Sequence, residues 1–196
     1  MASSNPSSNK NQGFTLIELI VTMAVAIILL TVGVPSLLNM ISSSAITSYV
    51  DALNGDLALA RSQAIVEKTT ATVCKSADLL DCDSAASWSD GWIVFTDLDG
   101  DQTVDAEDTI VRVHEALSAQ VTLKYDDATV ADAYLQYSYK GDLESSAGTF
   151  ALCPSDHDTS MARAIIVATT GRVRSSTDSD ADGVHEDGSA AALICP

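Results

Sequence analysis

Lys10-Asn11-Gln12-Gly13-Phe14-Thr15-Leu16-Ile17-Glu18-Leu19-Ile20-Val21 is the stretch from which the rest of the chain is read. A polar segment gives way at Phe14 to an apolar run reaching Val34, 21 residues in which Glu18 is the lone charge. At about 1.5 Å of rise per residue, a helix of that length covers roughly the 30 Å hydrocarbon core of a bilayer. The segment therefore reads as membrane-spanning. An unpaired carboxylate beside lipid costs on the order of a few kcal/mol. Between Lys10 and Arg61 there is no Lys or Arg to neutralise it. Glu18 is then either a charge parked at the membrane interface or a group with a partner elsewhere.

A secretory signal peptide has a basic start, an apolar core of about 7 to 15 residues and a small-residue cleavage site after that core. Here the apolar run is longer, and the small residue, Gly13, precedes it. Cleavage after Gly13 leaves the apolar segment on the mature chain and makes Phe14 its amino terminus. The new ammonium group supplies a partner for Glu18.

Gly13-Phe14-Thr15-Leu16-Ile17-Glu18-Leu19 resembles the processing site of type IV prepilins and of the pseudopilins of type II secretion systems. That resemblance implies cleavage after Gly13 by prepilin peptidase, N-methylation of Phe14, and pairing of Glu18 with the terminal amine of a neighbouring pilin or pseudopilin subunit. It also implies single-pass placement in the bacterial inner membrane, the globular part in the periplasm, and a position at the tip of a pilus or pseudopilus. Pro35 falls where family members usually carry a helix-kinking proline, and its ring removes a backbone donor there.

The domain organisation expected is a leader over 1–13, a transmembrane and assembly helix over 14–38, an amphipathic continuation over 39–68 and a β-rich domain over 69–196. Ile46, Tyr49, Val50, Leu53, Leu57, Ala60 and Ala64 fall at three- and four-residue spacing, one face of a helix. Gly55 costs that helix about 1 kcal/mol relative to alanine. Beyond Lys68 the chain turns to short runs rich in Val, Ile, Thr and Tyr. Strands are expected at 70–75, 92–96, 109–115, 121–125, 134–140, 149–153 and 163–168, with weaker ones near Arg172 and Leu193. The fold class expected is α+β, a long N-terminal helix packed on an antiparallel, sandwich-like domain.

The formal charge is -17, and 23 of the 27 acidic residues lie between Asp78 and Asp187. Such a field repels nucleic acid and anionic lipid and favours divalent cations. Cys74, Cys82, Cys153 and Cys195 all follow the membrane segment, an even count that suits disulfides in an oxidising compartment. Four cysteines permit three pairings. Pairing Cys74 with Cys82 staples a short acidic loop. Pairing Cys153 with Cys195 ties down the C-terminus, in keeping with the C-terminal disulfide common among pilins. The rival reading, a zinc site, lacks paired C-x-x-C spacing.

Trp88-Ser89-Asp90-Gly91-Trp92-Ile93-Val94-Phe95-Thr96-Asp97 resembles the central signature of the FimT/GspH group of minor pilins and minor pseudopilins. Cys153-Pro154, Arg163 to Val167 and Gly171-Arg172-Val173-Arg174 resemble the group's C-terminal half, and the acidic insert at 175–189 departs from it. The resemblance implies a structural subunit that initiates or caps a fibre. Its alternative is a DNA-binding minor pilin using Arg172 and Arg174. Two arginines neutralise few phosphates against so acidic a domain, and their alternation also suits a strand with both on the solvent side.

Two loops are candidate calcium ligands, although no cofactor is required by the reading as a whole. Asp97, Asp99, Asp101, Asp105 and Asp108 occupy oxygen positions of an EF-hand-like loop, with Gln102 where glycine normally makes the turn. Asp178, Asp180 and Asp182 begin a second, with Gly183 in place but Ser189 at its close. Plain acidic loops are the alternative reading of both. His114, His157 and His185 show no ligand-pair spacing, and no Gly-x-Ser-x-Gly or phosphate loop occurs. The chain does not read as an enzyme.

Overall fold

The apolar run and the amphipathic segment join in one helix, α1 (Leu16–Glu67), 52 residues long. The computed structural model describes residues 15–127 and 133–195, with backbone alone at 32, 33, 35, 36, 38, 39 and 127. The backbone is helical through Pro35 and Gly55. Open space surrounds the position a Cβ would take on Gly55. The chain divides into two compact units, Met1–Met40 and Ile41–Pro196, and α1 contributes to both. Among the described residues no helix is long and apolar enough to cross a membrane. Of the span expected over 14–34, Phe14 and the side chain of Val32 lie outside the description, as do the leader and its Gly13.

In the second unit the three- and four-residue spacing does what it predicts. Ile46, Val50, Leu53, Leu57, Ala60 and Ala64 are buried and Tyr49 is half-buried. They face two antiparallel sheets. The first is ordered β3 (Thr109–His114), β2 (Trp92–Asp97), β1 (Thr70–Lys75), β5 (Tyr134–Tyr137). The second is ordered β4 (Val121–Asp127), β6 (Gly148–Pro154), β7 (Arg163–Val167), β8 (Val173–Ser175). Val73, Trp92, Val94, Leu135 and Tyr137 from the first sheet and Leu123, Phe150, Leu152 and Ile165 from the second share one core with the helix. The α+β architecture is therefore as expected.

The opposite face of each sheet has a smaller core of its own. Ile93, Phe95 and Cys74 pack under the loops bearing Leu79, Cys82 and Val104. Cys153, Ala162 and Ala164 pack under the C-terminal segment through Leu193 and Cys195. Disulfides Cys74–Cys82 and Cys153–Cys195 fasten these two covers. Strand β2 is thus buried along its whole length.

Two strand expectations need correction. Strand β5 stops at Tyr137, because Ser138 N–H donates to the Asp142 carbonyl at 2.9 Å and its hydroxyl bonds the Asp142 side chain, closing a turn. Near Leu193 there is an isolated bridge, Glu186 to Ala192, rather than a strand. The Trp88 to Trp92 motif forms the seam between sheets. Ser87 and Asp90 make a reciprocal cap on the 3₁₀ turn Trp88–Asp90. Trp88 then meets Phe150 edge-on at 4.9 Å, on the second sheet, while Trp92 enters the first. Gly91 sits at φ 119, and a Cβ there would lie 2.6 Å from the His114 carbonyl, so the turn requires glycine.

Candidate functional site

At the start of α1, Leu16, Ile17, Leu19, Ile20, Val21, Met23, Val25 and Ile27 to Leu30 are all exposed. An apolar surface covering a helix on every side is built for lipid or for other helices. Glu18 interrupts it, and the structure gives it a role that the sequence reading missed. Its backbone N–H donates to Thr15 Oγ1 at 3.3 Å, and its Oε2 accepts from Thr15 N–H at 3.5 Å. Thr15-Leu16-Ile17-Glu18 is a capping box, legible as T-x-x-E before an apolar run. Within one chain Glu18 is a helix-start carboxylate on weak local bonds, and Phe14 lies outside the described residues.

Where the helix meets the first sheet there is a second carboxylate on an apolar face. Asp56 is 6 % exposed and accepts from Trp92 Nε1 at 2.9 Å. Arg112 of β3 approaches it at 3.7 Å, the sole ion pair among the described residues. Burial pushes the Asp56 carboxyl above its ordinary range, opposed by the Trp92 hydrogen bond, Arg112 and His114. His114 stacks flat on Trp92 with centroids 3.8 Å apart and meets Tyr49 edge-on. Its Nδ1 lies 2.8 Å from the Glu115 carbonyl, which can only accept. Tyr49 Oη accepts from Ser118 N–H at 3.0 Å. This polar knot bolts α1 to the edge strand. The available signal was an acid between Leu53 and Leu57 on the buried face.

The first acidic loop is organised around Asp97, which is fully buried. Its Oδ2 accepts from Thr72 Oγ1 at 2.7 Å, Gln136 Nε2 at 2.9 Å and Gln102 N–H at 3.2 Å, and its Oδ1 from Gly100 N–H at 2.7 Å. Asp97, Asp99 and Asp101 each bring a carboxylate oxygen into one cluster, with these atoms within 4.8 Å of one another. Asp105 and Asp108 do not join it. Asp108 accepts from the backbone N–H of Leu98 and of Asp105, and Asp105 from that of Glu107. In the second loop the cluster is Asp178, Asp180 and Glu186, while Asp182 caps Val184 N–H at 2.7 Å. Both Glu186 oxygens accept from Ser179 N–H.

Arg172 and Arg174 flank Val173 at the start of β8, both side chains exposed on the outer face of the second sheet. Ala168 N–H donates to the Arg172 carbonyl at 2.9 Å, and Ile166 is the register partner of Arg174. Gly171 makes the preceding turn at φ 70, with a Cβ position 2.0 Å from the Gly141 carbonyl. Arg61 of α1 bonds the same two turns, Nε to the Gly141 carbonyl at 2.7 Å and a second nitrogen to that of Thr170 at 3.2 Å.

The histidines have structural settings. His185 Nδ1 lies 3.0 Å from Ser176 Oγ, which also accepts from Ala164 N–H. Asp158, near His157, caps the short turn at Ser160. An open cleft of about 540 Å³ beside the first acidic loop is lined by Gln63, Glu67, Leu98, Glu107, Val111 and threonines, a set without a histidine, cysteine or lysine.

A helix with exposed apolar residues in its first turns and an amphipathic half packed on two four-stranded sheets is matched by two family models. The type II transport protein GspH model matches residues 50–171, and the prokaryotic N-terminal methylation motif matches residues 8–34. The chain belongs to the GspH family. No curated protein sequence matches it. Its fold is shared with the type IV minor pilin FimU of Pseudomonas aeruginosa, at 23 % identity and TM-score 0.51, over 66 % of this chain and 86 % of that one. It is shared also with the minor pseudopilin EpsH from the type II secretion system of Vibrio cholerae, at 10 % identity and TM-score 0.51, over 71 % of this chain and 99 % of that one. The GspH match begins at Val50, so it contains Asp56, Trp92 and Asp97. It ends at Gly171, so Arg172, Arg174 and the second acidic loop lie beyond it.

Proposed function

We propose that this GspH-family chain is a non-catalytic minor pilin or pseudopilin that enters a fibre through its N-terminal helix and helps to initiate or cap it. The observation that carries the reading is the first turns of α1. Eleven large apolar side chains between Leu16 and Leu30 are exposed, and the charge among them, Glu18, has only the weak bonds of a capping box. Such a surface is stable in lipid or against other helices and costly in water.

In this reading prepilin peptidase cuts after Gly13, Phe14 becomes the methylated terminus, and residues 14–38 sit in the bacterial inner membrane with the globular domain in the periplasm. On joining a fibre, Glu18 exchanges the Thr15 amide for the terminal ammonium of an adjacent subunit. A hydrogen bond near the length limit is given up for a charge-assisted pair in a low-dielectric setting, which favours assembly. The polar cleft and the partnered side chains of His114 and His185 support a structural subunit rather than an enzyme. The machine is a type IV pilus or a type II secretion pseudopilus.

The test is Glu18→Ala in the native host. The variant is expected to insert and to be processed after Gly13, as read by the mass of the mature chain, but to be lost from isolated filaments or from complexes with its partner subunits. Wild-type incorporation of the variant refutes pairing between subunits, and a mature chain that retains Met1 refutes the processing step.

A further inference from the structure

Among the described residues most basic side chains are already engaged. Arg61, Lys75 and Arg163 bond backbone carbonyls, Arg112 meets Asp56, and Lys140 lies over the Tyr139 ring. Lys68, Lys124, Arg172 and Arg174 are exposed without such a contact, and only the last two lie close together in the chain. Arg172, just before β8, and Arg174 within it stand two residues apart, about 7 Å along extended chain, both exposed and lining one slot.

The floor between them is apolar. Arg172, Arg174, Ile166, Ala168, Thr170 and Val173 line an open slot of about 260 Å³ on the outer face of β7 and β8. The C-terminal cover stops beside it, at Gly188, whose Cβ position lies 3.2 Å from Ile166.

We infer that this slot is a docking site for an acidic protein segment of a neighbouring subunit, with carboxylates at alternate positions and an apolar side chain for the floor. Two guanidinium forks at strand spacing match two carboxylates at strand spacing, and planar bidentate pairing fixes their orientation. Cross-strand opposite charges add a modest attraction, and the apolar floor supplies contact that a phosphate backbone has no side chain to use. DNA fits the surroundings poorly. The chain leaving β8 carries Asp178, Asp180, Asp182, Glu186 and Asp187 and the formal charge is -17, so a duplex longer than the slot meets net repulsion beyond the two arginines. A short peptide needs only the slot.

The inference rests on the reading of the chain as an assembly subunit, which Glu18→Ala tests separately at the opposite end of the sequence. The experiment here uses the mature full-length chain in detergent micelles and a fluorescent peptide reproducing Thr177 to Val184, which has three alternating aspartates and a terminal valine. The peptide is expected to bind in low salt and to be released by 0.5 M salt as screening shortens to a few ångströms. The Arg172→Ala, Arg174→Ala double variant should weaken it by about tenfold, and the double lysine variant should retain part of the binding. Lys68→Ala and Lys124→Ala, which remove exposed charges elsewhere, should leave it unchanged. Equal binding by wild type and the double alanine variant overturns the inference, as does binding of a 20-base DNA, single-stranded or duplex, in place of the peptide. Failure of the peptide to bind while Glu18→Ala still blocks incorporation would refute the docking site and leave the assembly reading standing.

Discussion

Replacing Asp56 by alanine tests the claim that a buried carboxylate bolts the helix to the first sheet. The substitution removes the acceptor for Trp92 Nε1, a 2.9 Å bond to a residue with no exposed surface, and strands that N–H in the core. A hydrogen bond to a charged group contributes about 1.5–3 kcal/mol when its loss leaves a buried donor unsatisfied. Arg112 sits 3.7 Å away and is 57 % exposed, so its pairing adds under about 1 kcal/mol. The expected loss is about 2–3 kcal/mol, or roughly 5–10 °C in the melting temperature of a domain this size. Asp56→Asn keeps an acceptor oxygen and removes the cost of burying charge, so it should lie within about 1 kcal/mol of the wild type at pH 7.

The sign of the pH effect separates the two variants further. Burial raises the Asp56 carboxyl in the folded state above its unfolded value. Its contribution to stability is therefore fully present below the unfolded carboxylate range and lost as pH rises through the higher folded value. The wild type should gain on Asp56→Asn as pH falls from 7 toward 4, a difference in which the other carboxylates cancel. Near-UV circular dichroism of the full chain in detergent, followed through denaturant titrations at several pH values, reads both effects. Alanine and asparagine variants of equal stability, or a difference that runs the other way with pH, would refute the role given to this carboxylate.

Opening Cys153–Cys195, which spans 42 positions, should cost about 4 kcal/mol on chain-entropy grounds, against about 2.5 for Cys74–Cys82, which spans 8. Serine variants compared in denaturant titrations check the order. Chelation by EDTA should leave the melting temperature unchanged, because four donors from the protein already hold Asp97. A fall of several degrees would show a structural cation at Asp97, Asp99 and Asp101.

The elements of the second unit were legible because each is written in a local period. Short runs of β-branched and aromatic residues give β1 and β2, and three- and four-residue spacing gives the buried face of α1 from Ile46 to Ala64. Where the reading failed, side chains competed with the backbone pattern. Ser138 and Asp142 end β5 early through bonds that propensity does not register. At the acidic loops the spacing suggested five ligands in the first. Folding sent Asp105 and Asp108 to cap amides and buried Asp97 under Thr72 and Gln136, residues 25 and 39 positions away along the chain.

By itself the sequence determined the apolar length of the N-terminal segment, the placing of a lone acid within it, and the order of helix and strands. These follow from side-chain solubility and local periodicity, which act over a few residues. Tertiary structure alone decided that Asp56 meets Trp92 and Arg112 and that, among the described residues, no acid pairs with Arg172 or Arg174. Such pairings depend on how two sheets close over one helix, and hydrogen bonding and charge act on the distances that closure creates.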